Sequence, residues 1–104
     1  MKFAAHYGDK PAIVIQSDRW WDARLLATIH FGCEPGQLQF ESEPQGPVTI
    51  QTRWEGRSPG LRLEFRVRSE NTVIWTDWRP IEEYAEVKRV ADVVNKVDEA
   101  QPTP

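Results

Sequence analysis

Strict two-residue alternation between apolar and charged side chains is the feature that most limits what this sequence can fold into. Over residues 61–68, apolar side chains from Leu61 to Val67 occupy every second position, and charged side chains occupy the positions between them. Successive side chains of a β-strand point to opposite faces, so this segment predicts a strand with one buried and one wet face. Residues 48–55 alternate in the same way, and we expect the two segments to be neighbouring antiparallel strands.

Shorter segments, separated by clusters of turn-forming glycine, proline, asparagine and aspartate, predict further strands. The first two such segments predict an N-terminal hairpin, and the later ones predict a meander from residue 37 to residue 78. The additional strands are expected over residues 3–7, 12–16, 37–42 and 72–78.

Residues 17–33 are compatible with two interpretations. We favour a loop or a helical turn followed by a strand over residues 25–33, whose odd-numbered side chains would share one face. The alternative is a helix over residues 18–31 that Gly32 would end, because glycine readily adopts the left-handed conformation found just past a helix C-terminus. The pattern leaves both interpretations open.

After residue 82 the apolar period changes from two to between three and four. This spacing predicts an amphipathic helix over residues 82–100, and three glutamates in its first turns suit the helix dipole. Residues 101–104 are expected to form a flexible tail. The apolar stripe of this helix consists of Val87, Val90, Val94 and Val97.

These elements predict a single domain over residues 1–100, with strands within residues 3–81. The fold class is α+β with β dominant: an antiparallel sheet or small β-sandwich of about six or seven strands, with the C-terminal amphipathic helix packed on it. A chain of 104 residues has the usual length of one domain, and five Trp, four Phe and two Tyr provide enough apolar area for its core.

Composition also narrows location and partners. Cys33 is the only cysteine, so no disulfide is expected, and the N-terminal residues lack the apolar region of a signal peptide. We therefore expect a cytoplasmic protein without membrane contact, and a virion-associated location is the other one we consider. The formal net charge of −3 gives no overall attraction to nucleic acid, which is not expected as a partner.

Reactive residues lack the partners that catalysis or metal binding needs. His30 and Cys33 would face opposite sides of a strand, and His6 is the only other histidine. The acidic residues show no spacing that singles out a pair, and no glycine-rich phosphate loop is present. We predict that the chain is not an enzyme, and we predict neither a metal nor another cofactor.

Arginine and tryptophan provide the candidate binding residues. A row of arginines is expected on the outward faces of two strands, where it could pair with neighbouring acids or present a platform to an acidic partner. Five Trp exceed what so small a core readily absorbs, and tryptophan is enriched at protein interfaces. The predicted partner-binding residues are Trp20, Trp21, Trp75, Trp78, Arg53, Arg62, Arg66 and Arg68.

The central strands carry a family resemblance. Residues 48–56 read VTIQTRWEG, and they are followed by LRLEFRVRS and later by IWTDW. This succession resembles the central strands of fibronectin type III modules, and the resemblance implies a β-sandwich. The final strands and tyrosine corner of that family have no counterpart in this sequence, and no functional residue is carried over from it.

The predicted function is that of a non-enzymatic protein-binding module, such as a small structural or inhibitory protein of a phage or mobile element. A homodimer, formed through the valine stripe or an open sheet edge, is also compatible with the pattern. The alternative function is a carbohydrate-binding module in which Trp20 or Trp21 acts together with Trp75 or Trp78 to stack on sugar rings.

Overall fold

A computed structural model describes residues 1–68 and 73–86, in which one six-stranded sheet carries one helix of three turns. The predicted α+β class with β dominant is confirmed. The helix α1 spans Trp20–Phe31, and single 3-10 turns span Pro35–Gln37 and Ile81–Glu83. The strands are β1 (Lys2–His6), β2 (Ile13–Gln16), β3 (Gln39–Ser42), β4 (Ile50–Glu55), β5 (Arg62–Val67) and β6 (Arg79–Pro80).

The sheet is mixed, with the strand order β3-β1-β2-β4-β5-β6. β2 and β4 run parallel, with Ile15 opposite Ile50 and Gln16 opposite Gln51. The other neighbouring pairs are antiparallel. The prediction of an antiparallel sheet is therefore wrong. Alternation indicates the face on which a residue lies but not the direction of the neighbouring strand, and here α1 lies in the connection that brings β4 back parallel to β2.

β3 lies at an edge of the sheet and pairs with β1, where Ala5 is opposite Phe40. It is not next to β4, so the prediction of a continuous meander from residue 37 is wrong. From β4 onwards the meander is found: β4 and β5 form a hairpin with Thr52 opposite Phe65, and β6 pairs antiparallel with β5. The described residues form a single sheet and not the two packed sheets that the fibronectin type III resemblance implies.

The strand favoured for residues 25–33 is wrong, and the alternative helix is confirmed as α1. Ala23, Leu26 and Ala27 are buried at helical spacing, and Gly32 caps the helix with a φ of 64° and an N–H donated to the Thr28 carbonyl. Residues 25–31 are nearly all apolar, so every second position is apolar by default and alternation cannot separate strand from helix.

The core lies between α1 and one face of the sheet. Ile15, Leu26 and Phe65 are fully buried there, and Ile50 and Tyr84 are almost so. Because α1 covers only one face, the other face of the sheet presents mainly polar and charged side chains. This division puts the even-numbered residues of β4 towards α1 and its odd-numbered residues on the opposite face.

Of the residues described between β5 and β6, a few pair with β5. Thr76 donates its backbone N–H to the Val67 carbonyl, and its hydroxyl accepts from the Val67 N–H, both at 2.9 Å. The strand predicted for residues 72–78 is reduced, in the part described, to an isolated bridge between Arg68 and Trp75. Residues 84–86 are helical. The rest of the helix predicted for residues 82–100, its valine stripe and the tail fall outside the described residues.

Candidate functional site

The predicted partner-binding residues fall on two sides of the sheet. Trp20 and Trp21 belong to the first turn of α1. The other side carries the arginines, because the residues paired across β4 and β5 alternate between faces. Residues 75 and 78 also reach this face, since their rings lie against arginine side chains. The group on the second side consists of Arg53, Arg62, Arg66, Arg68, Trp75 and Trp78.

Five of these residues form what we call the arginine–tryptophan ladder, in the order Arg68, Trp75, Arg66, Trp78, Arg53. The guanidinium carbon of Arg66 is 4.7 Å from the ring centroids of both tryptophans. Arg68 lies 5.1 Å from the Trp75 ring, and Arg53 lies 4.2 Å from the Trp78 ring. Each ring thus has two guanidinium groups against it, and each such contact contributes about 0.5–1 kcal/mol at exposed sites.

The edges of the ladder guanidinium groups are hydrogen-bonded within the sheet. Arg66 donates its Nε–H to Gln51 Oε1 at 2.7 Å, and Arg68 donates from Nη2 to the Val48 carbonyl at 2.6 Å. Arg53 pairs through Nη2 with Glu64 Oε1 at 3.0 Å. These groups are therefore engaged on their faces and on their edges, and the ladder fastens the segment before β6 onto the sheet.

Arg62 lies beyond the end of the ladder. Its Nε is 3.4 Å from Glu64 Oε2, while Arg53 takes the other oxygen of the same carboxylate. Glu64 is buried, so the two arginines compensate its charge. Within the arginine row, the expected pairing with Glu64 is therefore found at the end formed by Arg53 and Arg62.

On the helix side of the sheet, apolar side chains remain exposed. We call Trp20, Trp21, Leu25 and Trp54 the tryptophan patch. Trp21 is 54% exposed and Leu25 is 45% exposed, and these two lie one helical turn apart on the outward face of α1. Trp20, which is 40% exposed, packs edge-on against Phe40 of β3 with a centroid distance of 5.7 Å. The outward face of α1 therefore exposes large apolar side chains, although its inward face is the one packed on the sheet.

A buried carboxylate joins α1 to the end of β4 beneath this patch. Asp22, which is 5% exposed, accepts from the indole Nε1–H of Trp54 at 3.0 Å and from Arg19 Nε at 3.3 Å. The guanidinium of Arg19 lies 5.6 Å from the Trp21 ring and 5.3 Å from the Trp54 ring. Arg24 stacks in the same way over Trp20, at 4.7 Å. Asp22 also lies in the first turn, where the helix dipole favours a negative charge.

Trp54 and Leu25 belong to the patch but were not among the residues predicted to bind a partner. Alternation correctly places Trp54 on the α1 side of the sheet, where 38% of it remains exposed. Reading residues 18–31 as a helix would have revealed Leu25, since it follows Trp21 by four residues.

The reactive residues do not come together in the described part of the chain. His30 Nδ1 is 2.7 Å from the buried Tyr84 hydroxyl, and His6 lies near Glu41 at 3.8 Å. Cys33 is half-buried and unpaired to any other cysteine. Within residues 1–68 and 73–86, no three acidic, histidine or cysteine side chains are placed to hold a metal ion.

A small concave site, which we call the polar pocket, lies where β2 leads into α1 beside the parallel strand β4. Its volume is about 190 Å³. Its position follows from the parallel pairing of Gln16 with Gln51, which brings the carboxyl ends of the two strands to one edge. The pocket is lined by Gln16, Ser17, Asp18, Gln51, Thr52 and Trp78.

Comparison with known protein families, with characterised proteins and with solved structures finds no match for this chain. In the described part of the chain, no helix combines the length and the apolar character needed to cross a bilayer.

Proposed function

We propose that this chain is a non-enzymatic protein-binding module whose binding surface is the tryptophan patch. The observation that carries the proposal is that α1 exposes large apolar side chains on its outward face, where Trp21 and Leu25 are about half exposed. Amphipathic helices at a protein surface normally turn charged and polar residues outwards, so large apolar side chains exposed on that face indicate a surface that a partner covers. A protein partner that covers the outward face supplies the missing layer.

The exposed apolar area of Trp21 supports this assignment. A tryptophan side chain has on the order of 250 Å² of surface, so the 54% exposure of Trp21 leaves roughly 130 Å² to be covered. At about 25 cal/mol per Å², covering that area contributes about 3 kcal/mol to association. This is the size of effect that single tryptophans produce at the centre of protein interfaces.

The patch is also held in place before any partner arrives. Asp22 ties Trp54 and Arg19 to the first turn of α1, and arginine side chains stack on the rings of Trp20, Trp21 and Trp54. Side chains that are ordered in the free protein lose less conformational entropy on binding, which favours affinity. Arg24 makes no ion pair with any described residue, so its charge is available to an acidic group of the partner.

The carbohydrate alternative, as a stacking platform, has less support. It required a tryptophan of the first pair to act together with Trp75 or Trp78, and these residues lie on opposite sides of the sheet. The rings of Trp75 and Trp78 already carry two guanidinium groups each, which leaves little ring face for a sugar.

The proposal is tested by selecting binders from a phage-displayed library of random peptides and measuring their Kd. We expect the selected peptides to bind the double variant Trp21→Ala/Leu25→Ala at least about thirtyfold more weakly than the native chain, because a hot-spot tryptophan contributes about 2 kcal/mol or more. Val73→Ala is the matched control, since Val73 is 84% exposed and lies outside the patch.

Circular dichroism before each measurement establishes that the variants are folded, which is expected because both substituted residues are exposed. Peptides that bind the double variant as tightly as the native chain would show that another surface is used, and the proposal would then be wrong. Self-association through the patch is a separate outcome. It would be seen as a dimer by light scattering that the double variant abolishes.

A further inference from the structure

The polar pocket contains a hydrogen-bond relay whose direction follows from chemistry. Arg66 can only donate, so the atom of Gln51 that it meets at 2.7 Å is the amide oxygen. The Gln51 amide nitrogen therefore points the other way and donates to Gln16 Oε1 at 2.9 Å. The nitrogen of Gln16 is then the end of the relay. Its orientation is set by the network, although it makes no hydrogen bond with any described residue.

Two further groups of the pocket, the hydroxyl pair of Ser17 and Thr52 and the carboxylate of Asp18, can each form an additional hydrogen bond. Ser17 Oγ and Thr52 Oγ1 lie 2.5 Å apart, and since one of them donates to the other, the acceptor keeps its own hydrogen. Ser17 is almost fully buried, so this pair forms the floor of the pocket. The carboxylate of Asp18 is exposed at the rim and makes no hydrogen bond or ion pair with any described residue. The pocket thus presents free donors and a free acceptor around one concave space.

We propose that the polar pocket binds a neutral ligand with adjacent hydroxyl groups, that is, a single sugar ring. A hydroxyl group both donates and accepts, so one ligand hydroxyl can accept from the Gln16 amide while donating to Asp18. This site uses hydrogen bonds and not stacking on a tryptophan face, and it goes beyond the protein-binding function of the tryptophan patch.

The charges around the pocket favour a neutral ligand over an ion. Asp18 repels anions, while the guanidinium groups of Arg53 and Arg66, which lie against the lining residue Trp78, repel cations. The volume of about 190 Å³ is below the roughly 300–1,000 Å³ of pockets that enclose drug-sized ligands. It therefore suits one ring and not an extended chain of them.

The test uses ¹⁵N-labelled protein and four probes, D-glucose, D-galactose, D-mannose and N-acetyl-D-glucosamine. Glutamine side-chain amides and tryptophan indole N–H groups give separate NMR signals, so binding can be followed at the residues that line the pocket. For at least one sugar we expect saturable shifts at Gln16, Gln51 and Trp78, with a Kd of about 1–10 mM as befits a small ligand held by few hydrogen bonds.

Variants separate the pocket from the rest of the surface. Gln16→Ala and Asp18→Ala should each weaken binding by about tenfold, because each removes a hydrogen bond that the ligand makes. Both residues are exposed, so the fold should survive the substitutions. Gln39→Ala, at an exposed position on the edge strand β3, is the matched control and should leave the Kd unchanged.

Three results would overturn the assignment. The first is no shift with any of the four sugars at about 50 mM, which is well above the expected Kd. The second is shifts at Trp21 and Trp54 in place of the pocket residues, and the third is equal shifts with acetamide, which would point to an amide group as the ligand. The first and third of these results do not bear on peptide binding by the tryptophan patch, because the double variant of that patch leaves all the pocket residues in place.

Discussion

The carboxylate of Asp22 is the group on which the geometry of the tryptophan patch depends, and its removal is the sharpest test of that geometry. It accepts hydrogen bonds from Trp54 Nε1 at 3.0 Å and from Arg19 Nε at 3.3 Å. Asp22→Ala removes both and leaves α1 without a negative charge in its first turn. The end of β4 is then no longer tied to the helix through a polar contact.

The expected cost follows from the separate contributions. A hydrogen bond to a charged acceptor contributes about 1.5–3 kcal/mol, and the helix-dipole interaction contributes about 0.3–1 kcal/mol. The ion pair with Arg19 contributes less than about 1 kcal/mol, since 48% of the arginine side chain is exposed. Desolvation of the buried carboxylate offsets part of this sum. We therefore expect Asp22→Ala to lower the free energy of unfolding by about 2–3 kcal/mol.

Urea unfolding at pH 7, followed by tryptophan fluorescence and circular dichroism, measures this change. Asp22→Asn keeps an acceptor for Trp54 but loses the charge, so it should cost only about 1 kcal/mol. Asp18→Ala is the matched control, because that carboxylate is exposed and makes no bond with a described residue, and it should stay within about 0.5 kcal/mol of the native chain. If Asp22→Ala behaves like Asp18→Ala, Asp22 does not organise the patch and the reasoning is refuted.

Two further predictions concern the ladder and the end of α1. Arg66→Ala removes contacts with two tryptophan rings and a hydrogen bond, so we expect the free energy of unfolding in urea to fall by about 1–2 kcal/mol. The exposed control Arg57→Ala should leave it almost unchanged, and equal losses would mean that the ladder does not stabilise the fold. Gly32→Ala places a Cβ at a φ of 64° and should cost about 1 kcal/mol, whereas Gly36→Ala, at a position without a positive φ, should be nearly neutral; a neutral Gly32→Ala would contradict the left-handed cap.

Local pattern was sufficient to predict β4 and β5 and the faces on which their residues lie. Alternation over residues 61–68 and 48–55 correctly predicted the β4–β5 hairpin and the inward position of Phe65. These predictions succeed because the side-chain period of a strand is a property of the backbone alone. Burial on one face then makes that period visible in the sequence.

The same pattern could not predict how the strands are arranged. The parallel pairing of Ile15 with Ile50 and the edge position of β3 join segments far apart in the chain. Nothing in a short apolar segment specifies its neighbour. The helix α1 was undecided for a related reason, since a dense apolar run satisfies both the helical and the extended period.

The same distinction between local pattern and tertiary structure holds for the candidate site. Composition by itself showed that tryptophan is more numerous than a small core requires, and alternation placed a row of arginines on one face of two strands. Only the tertiary structure decided that Trp75 and Trp78 lie between arginines of one sheet face, while Trp21 remains exposed on the other side. The physical reason is that stacking and exposure depend on which strands and helices become neighbours, and those long-range pairings are absent from any local pattern of residues.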